Sequence, residues 1–196
     1  MWMLVPLGNP GPEYTTTRHN FGRLMLMRWM QTHCPKPRIL RRLGTGTVYA
    51  LNPAFQALVP GTYMNLSGQA CAEAVAAGSD PERMILLYDD KDLPLGQGRF
   101  RRSGSDGGHN GLKSVFGELR RQDLARLRLG IGPFQRPLVD FVLGEWTGPE
   151  WDLIDAMDAP FARFMELLQG TADLNALSGT VNPETFWTAT PLPPLP

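Results

Sequence analysis

The sequence predicts an α/β fold: a single-domain three-layer α/β/α sandwich around a mixed, mostly parallel sheet. Three observations carry that prediction. Short, continuously apolar runs fit strands covered on both faces. They alternate with stretches whose apolar residues recur at helical spacing. The 196 residues, 42% of them hydrophobic, suffice for one core.

The elements follow in order. Met3–Leu7 reads as a strand, and Leu7–Gly8–Asn9–Pro10–Gly11 forces a tight turn at its carboxyl end, the edge where open α/β sheets bind ligands. Phe21, Leu24, Met25 and Trp29 make one helical stripe. Thr47–Leu51 and Phe55–Pro60 are strands, and a helix over 66–77 places Ala70, Cys71, Ala74 and Val75 on one face. Strands at Met84–Asp89, Arg99–Arg102, Arg126–Ile131 and Phe141–Leu143 flank a helix over Asn110–Arg120. A last helix opens at Gly148–Pro149–Glu150, with Pro at its first position and acid in its first turn. Its apolar face is Leu153, Met157, Phe161, Phe164 and Leu168, with a kink expected at Pro160. Residues 1–180 form the expected domain, and residues 181–196 an expected Pro-rich tail ending in PLPPLP.

Composition excludes several classes. Nineteen basic residues balance nineteen acidic ones, which is not the makeup of a disordered polyelectrolyte. No apolar run approaches the roughly 20 residues of a membrane span, and the N-terminus lacks the basic segment of a signal peptide. Cys34 and Cys71 form no disulfide framework or metal-ligand spacing. A reduced, cytoplasmic protein with no membrane partner is the expectation. The charge is unevenly placed: residues 1–43 carry a net +6, 44–98 −4, 99–139 +6 and 140–196 −8. Two basic blocks could converge into one surface for a polyanion, or simply scatter around the globule.

Five constellations could carry chemistry. Asn9 offers an amide at the ligand edge, although turn formation alone explains an Asn there. His19 closes the following turn, beside the same edge. Asn65 in Tyr63–Met64–Asn65–Leu66–Ser67–Gly68 is a second amide, with Ser67 a plausible helix cap. Asp89, Asp90 and Asp92 end the most hydrophobic strand; they fit turn formation, or one could orient a histidine. Finally, Arg99, Arg101 and Arg102 lead into the Gly-rich segment 103–111, whose backbone N–H groups and helix N-terminus suggest an anion site. No GxGxxG or GxxxxGK[ST] loop is present.

Taken together, LGNPGPEYTTTRHNFG, GTYMNLSGQA, DDKDLPLG, RFRRSGSDGGHNGLKS, RLRLGIG and DFVLGEW resemble bacterial-type peptidyl-tRNA hydrolase, in the family's order and over residues 3–145. The resemblance implies cleavage of the ester joining a peptide to the ribose of tRNA. It implies His19 as general base, Asp89 as the carboxylate orienting it, and Asn9 as the residue selecting a peptide-bearing substrate. Tyr14, Tyr63, Asn65 and Asn110 match positions contacting the substrate near its ester, and Arg99, Arg101 and Arg128 match positions meeting tRNA phosphates. It further implies no cofactor, no metal, no DNA partner, contact with the acceptor stem and 3′ end, and a monomer. Pro6, Tyr63, Tyr88 and Lys91 depart from the family's usual residues. The rivals are a non-catalytic RNA-binding relative on the same scaffold and a nucleotide-binding enzyme.

Overall fold

Alternation along β1 (Trp2–Pro6) sets the layering: Trp2 and Leu4 join the core on one face of the sheet, Met3 and Val5 the core on the other. The structure, a computed structural model, describes residues 1–188. On the first face lie α1 (Phe21–His33) and α5 (Gly148–Gly170), contributing Phe21, Met25, Ile154, Met157, Phe161 and Phe164. On the second lie α2 (Ser67–Ala76) and α3 (Asn110–Leu119), contributing Ala70, Cys71, Ala74, Leu112 and Val115. The expected three layers are present.

The sheet has seven strands in the order β2 (Arg38–Arg42), β3 (Gly46–Ala50), β4 (Phe55–Pro60), β1, β5 (Met84–Pro94), β7 (Ala125–Gly132) and β6 (Gly98–Arg101). The central pairings β4–β1, β1–β5 and β5–β7 are parallel; the outer ones are antiparallel. The register puts Pro6 beside Leu87 and Leu87 beside Leu127. The chain leaving β1 therefore emerges next to Tyr88 and Asp89 of β5.

Three expectations need correction. Phe141–Leu143 is not a strand but the end of a short helix, α4 (Leu138–Leu143), started by the extended Pro137. Strand β2 was not expected: all five of its residues are exposed, so as an edge strand it carries no apolar run to read. On α5 the buried stripe runs through Ile154 rather than Leu153, which is 48% exposed. That helix starts with a capping box between Thr147 and Glu150 and continues through the buried Pro160 as one element. Residues 181–188, expected with the tail, include the end of α6 (Leu174–Val181) and all of α7 (Glu184–Thr188), whose Trp187 is buried against Phe164. The PLPPLP end lies outside the described residues. Within them, no helix is long and apolar enough to cross a membrane.

Candidate active site

His19 occupies a single 3-10 turn, Arg18–Asn20, immediately before α1. The first turn of α1 presses on β5: a Cβ on Gly22 would come within 2.3 Å of the Leu87 carbonyl oxygen, so only glycine permits this approach. The close contact brings His19 Nδ1 to 3.0 Å from both carboxylate oxygens of Asp89. Asp89 is 3% exposed, and its Oδ1 also lies 3.0 Å from His109 Nε2.

The hydrogen bonds assign the tautomers. His109 is the N-cap of α3, and its Nδ1 accepts from the backbone N–H groups of Gly111 (3.2 Å) and Leu112 (3.3 Å). The proton must then sit on Nε2, from which it is donated to Asp89. Asp89 needs a second donor at its other side, which His19 Nδ1–H supplies, leaving the lone pair of His19 on Nε2. Burial on its own would raise the Asp89 pKa, but the two imidazoles outweigh it and hold the carboxyl at about 2. Burial likewise works against a charged His19, and the Asp89 charge and hydrogen bond overcome it, raising the His19 pKa above its usual 6.5.

His109 is the site residue that sequence reading missed. Its signal was its position just before a helix, where a side-chain acceptor is wanted. Because His109 takes two of the N–H groups at the start of α3, the anion site expected at that helix N-terminus is already occupied by an imidazole. The same capping decides against a metal here. His19, Asp89 and His109 bring three ligand atoms within 4.8 Å of one another. Yet a metal on His109 Nε2 would demand a proton on Nδ1, where two backbone donors already point.

A second cluster gathers around Asn9. Its backbone is gripped reciprocally by Asn20, whose Oδ1 accepts from Asn9 N (2.8 Å) and whose Nδ2 donates to the Asn9 carbonyl (2.9 Å). The Asn9 side-chain Oδ1 accepts from Met64 N at 2.8 Å, and among the described residues its Nδ2 remains a free donor. Beside it, Tyr14 and Tyr63 meet edge to face with ring centroids 6.3 Å apart. Asn65, in the 3-10 turn Met64–Leu66, is exposed. Ser67 does not cap α2; among the described residues its hydroxyl is buried without a partner. The two clusters adjoin at Gly111, where a Cβ would meet Met64 Sδ at 2.6 Å and His109 Cε1 at 3.0 Å.

On the far side of His109 opens a cleft of about 400 Å³. His19, Asp89, Asn110, Arg101, Arg126 and Arg128 line it together with the Gly-rich loop. Asn9, Tyr14, Tyr63 and Asn65 do not. The β6–β7 register sets Arg99 opposite Arg128 and Arg101 opposite Arg126, an arrangement of like charges that must be relieved. Arg128 pairs with Asp90 at 2.7 Å, and Arg126, 2% exposed, stacks over Phe116. Arg99 turns away from the cleft, to the Asn182 carbonyl and Glu184. The two basic blocks do not converge as one reading had it, because β2 and β6 lie at opposite edges of the sheet. The acidic C-terminal part packs against the first basic block: its Glu150 pairs with Arg18, and its Asp155 and Asp158 pair with Arg28.

The family model for peptidyl-tRNA hydrolase matches residues 3–185. The chain belongs to the peptidyl-tRNA hydrolase family. A peptidyl-tRNA hydrolase of Thermotoga petrophila is 40% identical over 180 residues, covering 86% of this chain and 92% of that protein. One of Methylacidiphilum infernorum is 39% identical over 170 residues, covering 85% and 90%. The crystal structure of peptidyl-tRNA hydrolase from Acinetobacter baumannii matches with a TM-score of 0.79 at 29% identity, over 93% of this chain and 94% of that one. Among the departures from the peptidyl-tRNA hydrolase pattern, Tyr88 sets its ring edge-on to His109, centroids 5.0 Å apart. Lys91 lies over Phe134. Pro6 ends the central strand β1, in register with Leu87 of β5.

Proposed function

We propose that His19 activates the water with which this member of the peptidyl-tRNA hydrolase family cleaves the ester between peptide and tRNA. The single observation carrying the proposal is the Asp89 carboxylate held between two imidazoles, which leaves His19 Nε2 with its lone pair. Nε2 takes a proton from water as the oxygen attacks the ester carbonyl carbon. The bond from that carbon to the ribose oxygen then breaks, and the ribose oxygen receives the proton from the imidazolium. Asp89 keeps the tautomer and favours the imidazolium through the step. His109 supports Asp89 and holds the start of α3, which places Asn110 at the cleft.

Neutral amides suit the rest of the task. The free Nδ2 of Asn9 is a donor for the carbonyl of the substrate's peptide group, and Asn65 and Asn110 are donors for the developing oxyanion and the ribose end. Tyr14 and Tyr63 form an aromatic wall for the peptide side. Arg101 and Arg128, at the cleft, meet phosphates of the acceptor stem and 3′ end; Arg99, engaged elsewhere, is left out of that role. The reading needs neither a cofactor nor a second protomer.

The test is His19→Ala. Release of tRNA from purified peptidyl-tRNA should fall by roughly 10²–10⁴-fold, as losing a positioned base does, in protein that a thermal melt shows to be folded at the assay temperature. A folded variant with near-normal turnover overturns the assignment.

A further inference from the structure

Arg23 lies in the first turn of α1 and points its guanidinium back at the chain leaving β1. Its Nη1 donates to the Asn9 carbonyl at 3.2 Å, and its Nη2 donates to the carbonyls of Gly8 (3.0 Å) and Pro60 (2.8 Å). Among the described residues its Nε is buried without a partner. All its hydrogen-bond partners among the described residues are carbonyls, none a carboxylate, and burial lowers its pKa. A half-buried cation that meets only carbonyls needs a reason beyond charge pairing.

The carbonyls supply it. Gly8 and Asn9 follow β1, Pro60 ends β4, and these neighbouring parallel strands deliver both segments to the same edge of the sheet. The hydrogen bond that orients the Asn9 side chain runs from Met64 N, four residues beyond Pro60. Both partners of that bond thus hang from segments that Arg23 ties together. The packing is tight: a Cβ on Gly8 would lie 3.0 Å from Asn20 Oδ1 and 3.1 Å from Arg23 Nε.

We infer that Arg23 is a positioning residue for substrate selection: by bridging Gly8–Asn9 to Pro60, it fixes the direction of the Asn9 amide donor toward the peptide end of the substrate. The inference rests on the reading of Asn9 given above. A planar fork can span three carbonyl oxygens in two segments, which a compact ammonium cannot.

The experiment uses the full chain with Arg23→Met, Arg23→Lys, Asn9→Ala and the double variant Asn9→Ala/Arg23→Met. The readout is the ratio of kcat/KM for N-acetyl-aminoacyl-tRNA to that for unblocked aminoacyl-tRNA, with a thermal melt of each protein. Arg23→Met and Arg23→Lys should each lower the ratio by roughly ten- to a hundredfold, the scale on which small misplacements act. The lysine variant keeps stem and charge, and covers the case in which methionine does not fold. In the Asn9→Ala background Arg23→Met should change the ratio no further, because it acts through Asn9. A ratio that Asn9→Ala lowers but neither Arg23 variant moves overturns the inference alone, as does an additive double variant. A ratio unchanged in Asn9→Ala overturns the reading of Asn9, and the selectivity of Arg23 with it.

Discussion

Asp89 is the residue on which the site turns, and its two imidazole neighbours give it a pH signature. His19 serves as a base only when neutral, and its pKa lies above 6.5. kcat/KM should therefore rise with pH through a midpoint above 6.5. Asp89→Asn removes the charge that raised the pKa and leaves burial in command, so the midpoint should move below 6.5 while the plateau falls. A pH–rate profile of the two proteins checks the sign; an unmoved midpoint would make Asp89 a turn residue. At this scale the sequence was informative where a motif named a position: His19 and Asp89 do meet, and Asn9 does present a free amide. Arg23 was illegible for a physical reason: its work is bonding to backbone carbonyls of distant segments, and these leave no mark on composition or spacing. His109 left only the signal of a cap position before a helix, and its tie to the Asp89 side chain appears only once β5 and α3 are folded together.

The elements that position the site are legible in proportion to how apolar they are. Central strands β1, β4, β5 and β7 read directly as hydrophobic runs, whereas β2 has none. Helix α4 misled because a run as short as Phe141–Leu143 fits either period; its Leu138 and Val142 face the cleft, and Phe141 lies under Arg18. The contact between α1 and β5 yields a prediction of its own. Gly22→Ala would drive a methyl into backbone rather than into a yielding side chain, so α1 must back away from β5. Stability should fall by about 1–3 kcal/mol, the range for forced overpacking. Because His19 sits on the turn that leads into that helix and Asp89 on that strand, kcat should drop more than the loss of folded protein explains. Thermal melts and single-turnover rates on the same samples separate the two effects.

For the molecule as a whole, the balance of charge conceals an internal division of labour. Two members of the N-terminal positive block, Arg18 and Arg28, are spent on the acidic α5, and the cleft's charge comes from β6 and β7. Sequence counting could locate the blocks but not which of them face each other. Substrate affinity should then fall with salt chiefly through the cleft. Arg101→Ala and Arg128→Ala should each reduce the slope of log K against log salt by about 0.7–0.9, with Arg128→Ala at the lower end because Asp90 already shares its charge. Arg99→Ala should leave the slope unchanged and lower the melting temperature instead, having lost its ties to Asn182 and Glu184. Binding of deacylated tRNA across a salt series distinguishes these outcomes.

The contacts of α5 also bear on the order in which this chain can be made. Trp2, in the central strand, donates its indole N–H to the Leu168 carbonyl at 3.0 Å, and Phe21 packs on Trp146. That central strand thus waits for residues 166 positions later in the chain before its outer layer closes. Until then the apolar face that α5 covers, Trp2 and Leu4 among it, is open to other partners. A chain whose synthesis halts before α5 emerges carries an uncovered sheet, the kind of exposed apolar face that invites aggregation.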